Sequence, residues 1–248
     1  MAAPSNTVNK VRYRLIDTSS TNPNLLTATT LEEAVVSAVT KYSQDRPLEV
    51  TEDETGLSTP YIPVVGSGAV LASWADGFSR ILTIEYPAEA VGADYIPSYL
   101  NRDDDWDEGY RDASKKYIRL KTITPAASDI LRITYTARHT HTTATNTVPD
   151  GDLDALCDLA AHFACLALAT KMAASNDPLM KADSVNYRDG QLRFKQQADA
   201  WLAAYNDKMG LSADGAGATG PLGASATADW DRGYQTGLPF LTHWGRRR

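Results

Sequence analysis

The histidines of this chain are the residues whose spacing most resembles a metal site. His139 and His141 form an H-x-H pair at the end of a predicted strand, where alternation places both rings on one face. No third ligand stands near them, because His162 lies within a predicted helix and His243 lies in the C-terminal tail. The favoured interpretation is an exposed strand end without metal, and a metal site is the alternative.

A run of acidic residues resembles the opening of a calcium-binding loop and comprises Asp103, Asp104, Asp105, Asp107 and Glu108. A calcium loop requires Gly at its sixth position and Glu at its twelfth, but Glu108 and Ser114 occupy these positions here. We therefore predict a solvated acidic loop. An opportunistic cation site is one alternative, and the flanking Tyr99, Trp106 and Tyr110 make an intersubunit contact another.

Nucleophilic and phosphate-binding signatures give no further candidates. The sequence has no nucleophile elbow and no Cys/His catalytic pair, and Gly66-Ser67-Gly68 lacks the strand and helix context of a phosphate-binding loop. Cys157 and Cys165 are separated by roughly 12 Å along one predicted helix, too far for a disulfide, and are interpreted as packing residues. We predict a protein that is not an enzyme and that binds no cofactor and no metal.

Composition sets broad limits on the fold and the partners. The chain has 248 residues, is 43% hydrophobic and carries a formal net charge of -7. It can therefore bury the core of one compact domain or two small ones. The acidic balance argues against a general nucleic-acid binder, which would show a basic stripe. No apolar run long enough for a bilayer and no signal-peptide core are evident, so we expect a soluble, non-exported protein.

Helical periodicity marks the elements that would position these residues. The predicted helices run from Leu31 to Ser43, from Asp152 to Ala174 and from Ser184 to Lys208. Thr30 and Glu33 form a capping box before the first, Asp152 is a candidate N-cap of the second, and Gly210 is a candidate C-cap of the third. The second helix has an apolar stripe too wide for one packing face, so we expect neighbours on two sides.

A period of two replaces the helical period between Leu48 and Ala137 and predicts a small antiparallel β-domain. Its predicted strands are Leu48 to Val50, Tyr61 to Val65, Ile81 to Tyr86, Tyr117 to Thr124 and Ile130 to Ala137. Ile96 to Ser114 is predicted to be a long loop, and such loops are commonly functional. Near the N-terminus, Val11 to Ile16 alternates and is predicted to be a strand or a pairing arm.

The predicted fold class is α+β, with a bundle of three main helices, an inserted small antiparallel β-domain and extended terminal arms. Residues 1–29 form the N-terminal arm, 30–47 and 148–210 the helical bundle, 48–147 the β-domain and 211–248 the C-terminal tail. A Gly/Ala-rich linker opens the tail, which then regains aromatic and cationic side chains. The residues predicted to bind a partner are Trp230, Tyr234, Phe240, Trp244, Arg246, Arg247 and Arg248. The alternative is that this tail folds back over its own β-domain.

The order of these parts resembles the head-to-tail connector, or adaptor, proteins of tailed bacteriophages. A helix ending in YSQDRP is followed by a β-insert containing SWADGFSRILTIEYP and ITYTARH, and then by a helical hairpin with the junction ADSVNYR. The similarity extends roughly from Thr30 to Gly210, and the hairpin is its most specific part.

The resemblance implies a structural virion protein of the neck, assembled in the host cytoplasm. It implies a homo-oligomeric, dodecameric ring docked under the portal protein, with downstream tail, nozzle or fibre proteins as further partners. Genomic DNA would pass through the channel without specific binding, because an acidic wall repels phosphates. The alternatives are another tail-completion or fibre-attachment protein, a β-domain module that binds carbohydrate or peptide, and an unrecognised enzyme.

Overall fold

The computed structural model describes residues 3–16, 26–55, 58–65, 68–89, 96–102, 104–112, 115–174 and 187–211. The helices are α1 (Ser5–Arg14), α2 (Ala28–Asp45), α3 (Leu153–Ala174) and α4 (Tyr187–Met209). The strands are β1 (Leu48–Thr55), β2 (Tyr61–Pro63), β3 (Ile81–Ala88), β4 (Trp106–Asp112), β5 (Lys115–Leu120) and β6 (Ile130–Ala137). A 3-10 turn, Asp150–Asp152, directly precedes α3.

The chain divides into two compact units. The described residues of Met1–Ala38 and Val148–Arg248 form a helical unit and those of Val39–Thr147 form a β unit, so the division falls within α2. The described residues thus form a mixed α+β fold, as predicted. The predicted three-helix bundle is not confirmed, because α3 packs against α4 and against α1.

Helix α1 corrects the prediction of a strand or arm at Val11 to Ile16. Thr7, Val8 and Val11 are buried at the three-and-four spacing of a helix, and Leu15 continues this face. An alternation over only six residues is compatible with both the period of a strand and the period of a helix. The packing of α1 against α3 favours the helix.

Helix α2 includes the predicted segment but begins earlier. Thr27 is its capping residue, because the Thr27 side-chain oxygen accepts a hydrogen bond from the Thr30 amide at 3.2 Å. The Thr27 carbonyl also accepts the Leu31 amide. The predicted cap at Thr30 is therefore wrong by one turn.

Helix α3 is the core of the helical unit. Its first half is buried on every side from Ala155 to Ala161, which confirms the predicted neighbours on two sides. By length and composition alone, Asp150–Ala173 could cross a membrane, contrary to our reading of the sequence. Most of this segment is buried within the protein, which is the environment of a core helix.

The predicted glycine cap of α4 is confirmed. Gly210 has a φ of 68°, its amide donates to the Asp207 carbonyl, and the Leu211 amide donates to the Asn206 carbonyl. This pair of bonds is a Schellman motif, which requires the left-handed conformation that glycine adopts readily.

The described part of the β unit forms two three-stranded antiparallel sheets. The strand orders are β1-β6-β3 and β2-β5-β4, so β6 and β5 are the central strands. The alternation of β6 points Leu131, Ile133 and Tyr135 into the core, where they join Ile62, Ile84, Trp106 and Ile118.

Strand β4 corrects the prediction of a single long loop from Ile96 to Ser114. Its sequence, WDEGYRD, has no β-branched residue, so its local strand signal is weak. Pairing with β5 and burial of Trp106 organise it as a strand.

Candidate interaction surfaces

Two acidic side chains on successive turns of α3 tie the helical unit together. Asp158 accepts hydrogen bonds from Arg14 Nε at 2.5 Å and from Lys208 Nζ at 2.6 Å. Asp154 accepts from Arg14 Nη2 at 2.5 Å and also pairs with Lys208. The Asp158 side chain is 2% exposed and that of Asp154 is 61% exposed. This cluster links α1, α3 and α4, and its most buried member is Asp158.

Hydrogen bonds within the cluster favour the charged forms of Asp154 and Arg14. The hydrogen bonds from Lys208 and Arg14 lower the pKa of Asp154. Burial acts to lower the pKa of Arg14, but its hydrogen bonds to Asp158 and Asp154 outweigh that effect and raise the pKa. The sequence contains a signal for this cluster, since Asp158 interrupts an otherwise apolar stretch of α3.

His162 joins the middle of α3 to α4. Its Nδ1 lies 2.8 Å from the carbonyl oxygen of Ala198. Since Asp154, near the start of α3, contacts Lys208, near the end of α4, the two helices run antiparallel as predicted.

The two cysteines occupy the packing positions predicted for them. Cys157 and Cys165 are free thiols and are buried in α3. Burial raises the pKa of Cys157 and raises that of Cys165 to about 11. Neither thiol is ionised near neutrality, so both are chemically inert there.

The predicted exposure of the H-x-H pair is wrong. His139 and His141 are 7% and 8% exposed. His139 Nε2 lies 3.0 Å from the Arg46 carbonyl oxygen and its Nδ1 lies 3.0 Å from the Thr147 carbonyl oxygen. His141 Nδ1 lies 2.8 Å from Asn146 Oδ1. Both imidazole rings therefore lie within hydrogen-bond distance of backbone or side-chain groups of the β unit. The described residues contain no cluster of three metal-ligating side chains.

A polar network on the core side of β1 joins three segments. Tyr135 Oη donates to Glu52 Oε1 at 2.9 Å and accepts from the Ser73 amide at 3.0 Å, while Glu52 Oε2 accepts the Ala72 amide. Burial and the hydrogen bond to Glu52 raise the pKa of Tyr135 to about 12. This network fixes residues 72–73 against the β1-β6-β3 sheet.

The acidic segment is not the solvated loop that its composition predicts. On β4, Asp107 pairs with Arg119 at 2.9 Å, and Glu108 pairs with Lys116 at 2.8 Å. The Asn101 amide donates to Asp105 Oδ2. These carboxylates therefore stabilise β4 against β5 and cap a turn, whereas Asp103 lies outside the described residues.

A polar cleft of about 350 Å³ opens beside this pairing in the β unit. Its lining comprises Asp76, Gly77, Phe78, Ser79, Arg80, Arg102, Glu108 and Lys116. The Arg102 guanidinium lies 5.5 Å from the Trp106 ring centroid, and Lys116 Nζ lies 4.9 Å from that of Trp74. Sequence reasoning missed this cleft, since its residues come from four separate segments.

Several large apolar side chains are exposed in each unit. Tyr13 and Ile16 in the helical unit are 77% and 85% exposed, and Ile96 and Tyr99 in the β unit are 87% and 58% exposed. Residues 98 and 100 hydrogen-bond to β3 through their backbones, so the Ile96–Tyr99 segment lies along the β3 edge. Such exposure is typical of contact surfaces. The predicted partner-binding residues between Trp230 and Arg248 lie outside the described residues.

Comparison with known proteins identifies solved structures that are similar to this chain. No protein-family model and no curated protein matches it. It is similar to a chain in the neck of an empty gene transfer agent particle computed with C6 symmetry, at 12% identity and a TM-score of 0.25, over 79% of this chain and 92% of that chain. A chain in the virion of a native gene transfer agent particle has 12% identity, a TM-score of 0.26 and the same two coverages. The likeness is loose. Both neighbours are chains of gene transfer agent particles.

Proposed function

We propose that this chain is a structural virion protein that acts as a head-to-tail connector, forming a ring under the portal and joining the capsid to the tail. The observation that carries the proposal is the order of parts in the fold. Helix α2 leads into a β unit of two small antiparallel sheets, and the chain then returns as the helical hairpin α3-α4. This is the order of parts on which the resemblance to connector proteins depends.

The helical hairpin supports the proposal because a ring that joins two assemblies needs subunits that keep their shape. Buried side chains along α3 pack it against α4 and α1, and Asp158, near the start of α3, pairs with Arg14 and Lys208. Breaking a buried charge cluster costs much more than breaking an exposed one, so the three helices resist sliding.

The tail supplies the contact with the portal in this proposal. Trp230, Tyr234, Phe240 and Trp244 follow a Gly/Ala linker, and Arg246 to Arg248 add charge that can pair with an acidic portal surface. Aromatic and arginine side chains dominate interface energies. Downstream tail, nozzle or fibre proteins bind the other face of the ring, and DNA passes through a channel that does not grip it.

The test is a mass measurement of the purified protein with and without its purified portal. A connector adds a fixed number of copies to each portal ring, dodecameric by resemblance, and the complex remains intact through size-exclusion chromatography. A chain that never adds to the portal under any salt condition is not a portal-docking connector.

The polar cleft of the β unit favours a second candidate, a module that binds a small polar ligand. Such a module would be stabilised against heat by a ligand in a screen of sugars and short peptides, and it would not add to the portal. The two measurements therefore separate the candidates.

A further inference from the structure

Four cationic side chains meet at the cleft of the β unit and define what we call the basic patch: Arg80, Arg102, Lys116 and Arg138. Arg138 borders the cleft, because its guanidinium carbon lies 5.3 Å from the ring centroid of the cleft residue Phe78. Aromatic faces thus hold three of the four cations, Arg102, Lys116 and Arg138, in place without neutralising them.

The basic patch is only partly neutralised within the subunit. Glu108 is shared by Lys116 at 2.8 Å and Arg102 at 3.6 Å. Within the described residues, Arg80 and Arg138 form no ion pair. Asp76 is the other acid in the lining, so four cations face two carboxylates in a chain whose net charge is -7. A local excess of positive charge on an acidic protein is a surface for an acidic partner.

The acidic counterpart lies on β1, whose sequence is LEVTEDET. Asp53 pairs with Arg132 at 2.7 Å and Glu52 is held by Tyr135, whereas Glu49 and Glu54 form no ion pair within the part of the chain that the structure describes. Burial and the neighbouring charge of Glu52 raise the pKa of Glu54. Glu49 is exposed on the solvent face of β1, whereas Glu54 is half-buried on its core face, so Glu49 is the uncompensated carboxylate that a partner can reach.

Arg80 and strand β1 lie on opposite sides of β6. The Arg80 carbonyl accepts the Thr136 amide on one side of β6, and Glu49 pairs with Thr136 on the other. Strand β1 is an edge strand that pairs only with β6 among the described strands. Complementary surfaces on opposite edges make a head-to-tail contact, and such contacts close into rings when the rotation between copies allows it.

We propose that the basic patch of one copy receives the exposed β1 carboxylate Glu49 of a second copy, forming the contact between subunits. This inference rests on the proposed ring function and names the surfaces that would build the ring. The contact is made through side chains, because acidic residues on an edge strand disfavour backbone pairing with another strand.

Charge reversal with reciprocal rescue tests the contact in the full-length chain. Arg80→Glu and Glu49→Lys each place like charges together, so each should weaken self-association at low salt by about tenfold or more, and the double variant should recover most of the loss. Arg138→Glu, in the same basic patch, repeats the test if Arg80→Glu folds poorly. Arg193→Glu, exposed on α4, is the control with the same charge change as Arg80→Glu and should leave association unchanged.

Sedimentation velocity gives the association constants, and circular dichroism confirms that each variant is folded. The inference is wrong if both charge-reversal variants self-associate as strongly as the wild type. It is also wrong if the wild-type protein is monomeric both in solution and when bound to the portal. If Arg80→Glu abolishes binding of a short DNA duplex but leaves self-association intact, the patch faces DNA and the inference is also wrong.

Portal binding, measured in parallel, separates this inference from the proposed function. If the wild type binds the portal and both charge-reversal variants still self-associate normally, the connector function is supported and the proposed contact is wrong. If the double variant recovers self-association but the protein never binds the portal, the proposed contact is supported and the connector function is wrong.

Discussion

Replacing Asp158 by Ala should destabilise the helical unit far more than the same change at Asp154. The two carboxylates share both partners, Arg14 and Lys208, but the side chain of Asp158 is 2% exposed and that of Asp154 is 61% exposed. Loss of Asp158 leaves the Arg14 side chain, itself 14% exposed, without its buried counter-charge. Breaking such a pair costs about 3 to 5 kcal/mol, whereas an exposed pair contributes at most about 1 kcal/mol.

Urea denaturation followed by far-UV circular dichroism measures both variants, because the helices dominate that signal. Equal unfolding free energies for Asp158→Ala and Asp154→Ala would refute the reasoning that burial, rather than the number of ion pairs, sets the size of the effect. The double variant supplies the interaction energy between the two carboxylates, which share partners and should not behave additively.

Three further predictions concern the core, the β unit and the tail. Leu156→Ala should lower the unfolding free energy by about 2 to 5 kcal/mol, while Leu166→Ala, at a position 37% exposed, is the control and should cost less; equal losses in urea denaturation would contradict the packing of α3. Because the pKa of Tyr135 is raised to about 12, its neutral form is favoured in the folded state, so this stabilisation is present below the ordinary tyrosine pKa and is lost as pH rises toward the folded value. In alkaline denaturation the wild type should therefore lose stability more steeply with pH than Tyr135→Phe, and parallel curves would contradict the network with Glu52. A chain cut after Gly210 should stay folded by circular dichroism and lose portal binding; a loss of stability would instead support a tail that folds back, and unchanged stability with retained binding would eliminate both readings.

The sequence alone determined those helices and strands whose hydrophobic periodicity is compatible with only one type of secondary structure. The stripe of α3 repeats over six turns, and the segment from Ile130 to Ala137 alternates without interruption, so each predicted span matches the observed element closely. Gly210 was predictable as a cap because its position after the last helical turn needs a left-handed residue. The free, buried cysteines followed from spacing along one helix.

Tertiary contacts decided the elements and surfaces whose local signals are ambiguous. The segment from Val11 to Ile16 fits two periods, and packing against α3 makes its first part helical. Strand β4 depends on its pairing with β5, and the buried state of His139 depends on Arg46, which is distant in sequence. The basic patch likewise assembles from separate segments. A sequence fixes periodicity and local capping chemistry because these depend on neighbours along the chain, whereas charge clusters and clefts depend on residues that only folding brings together.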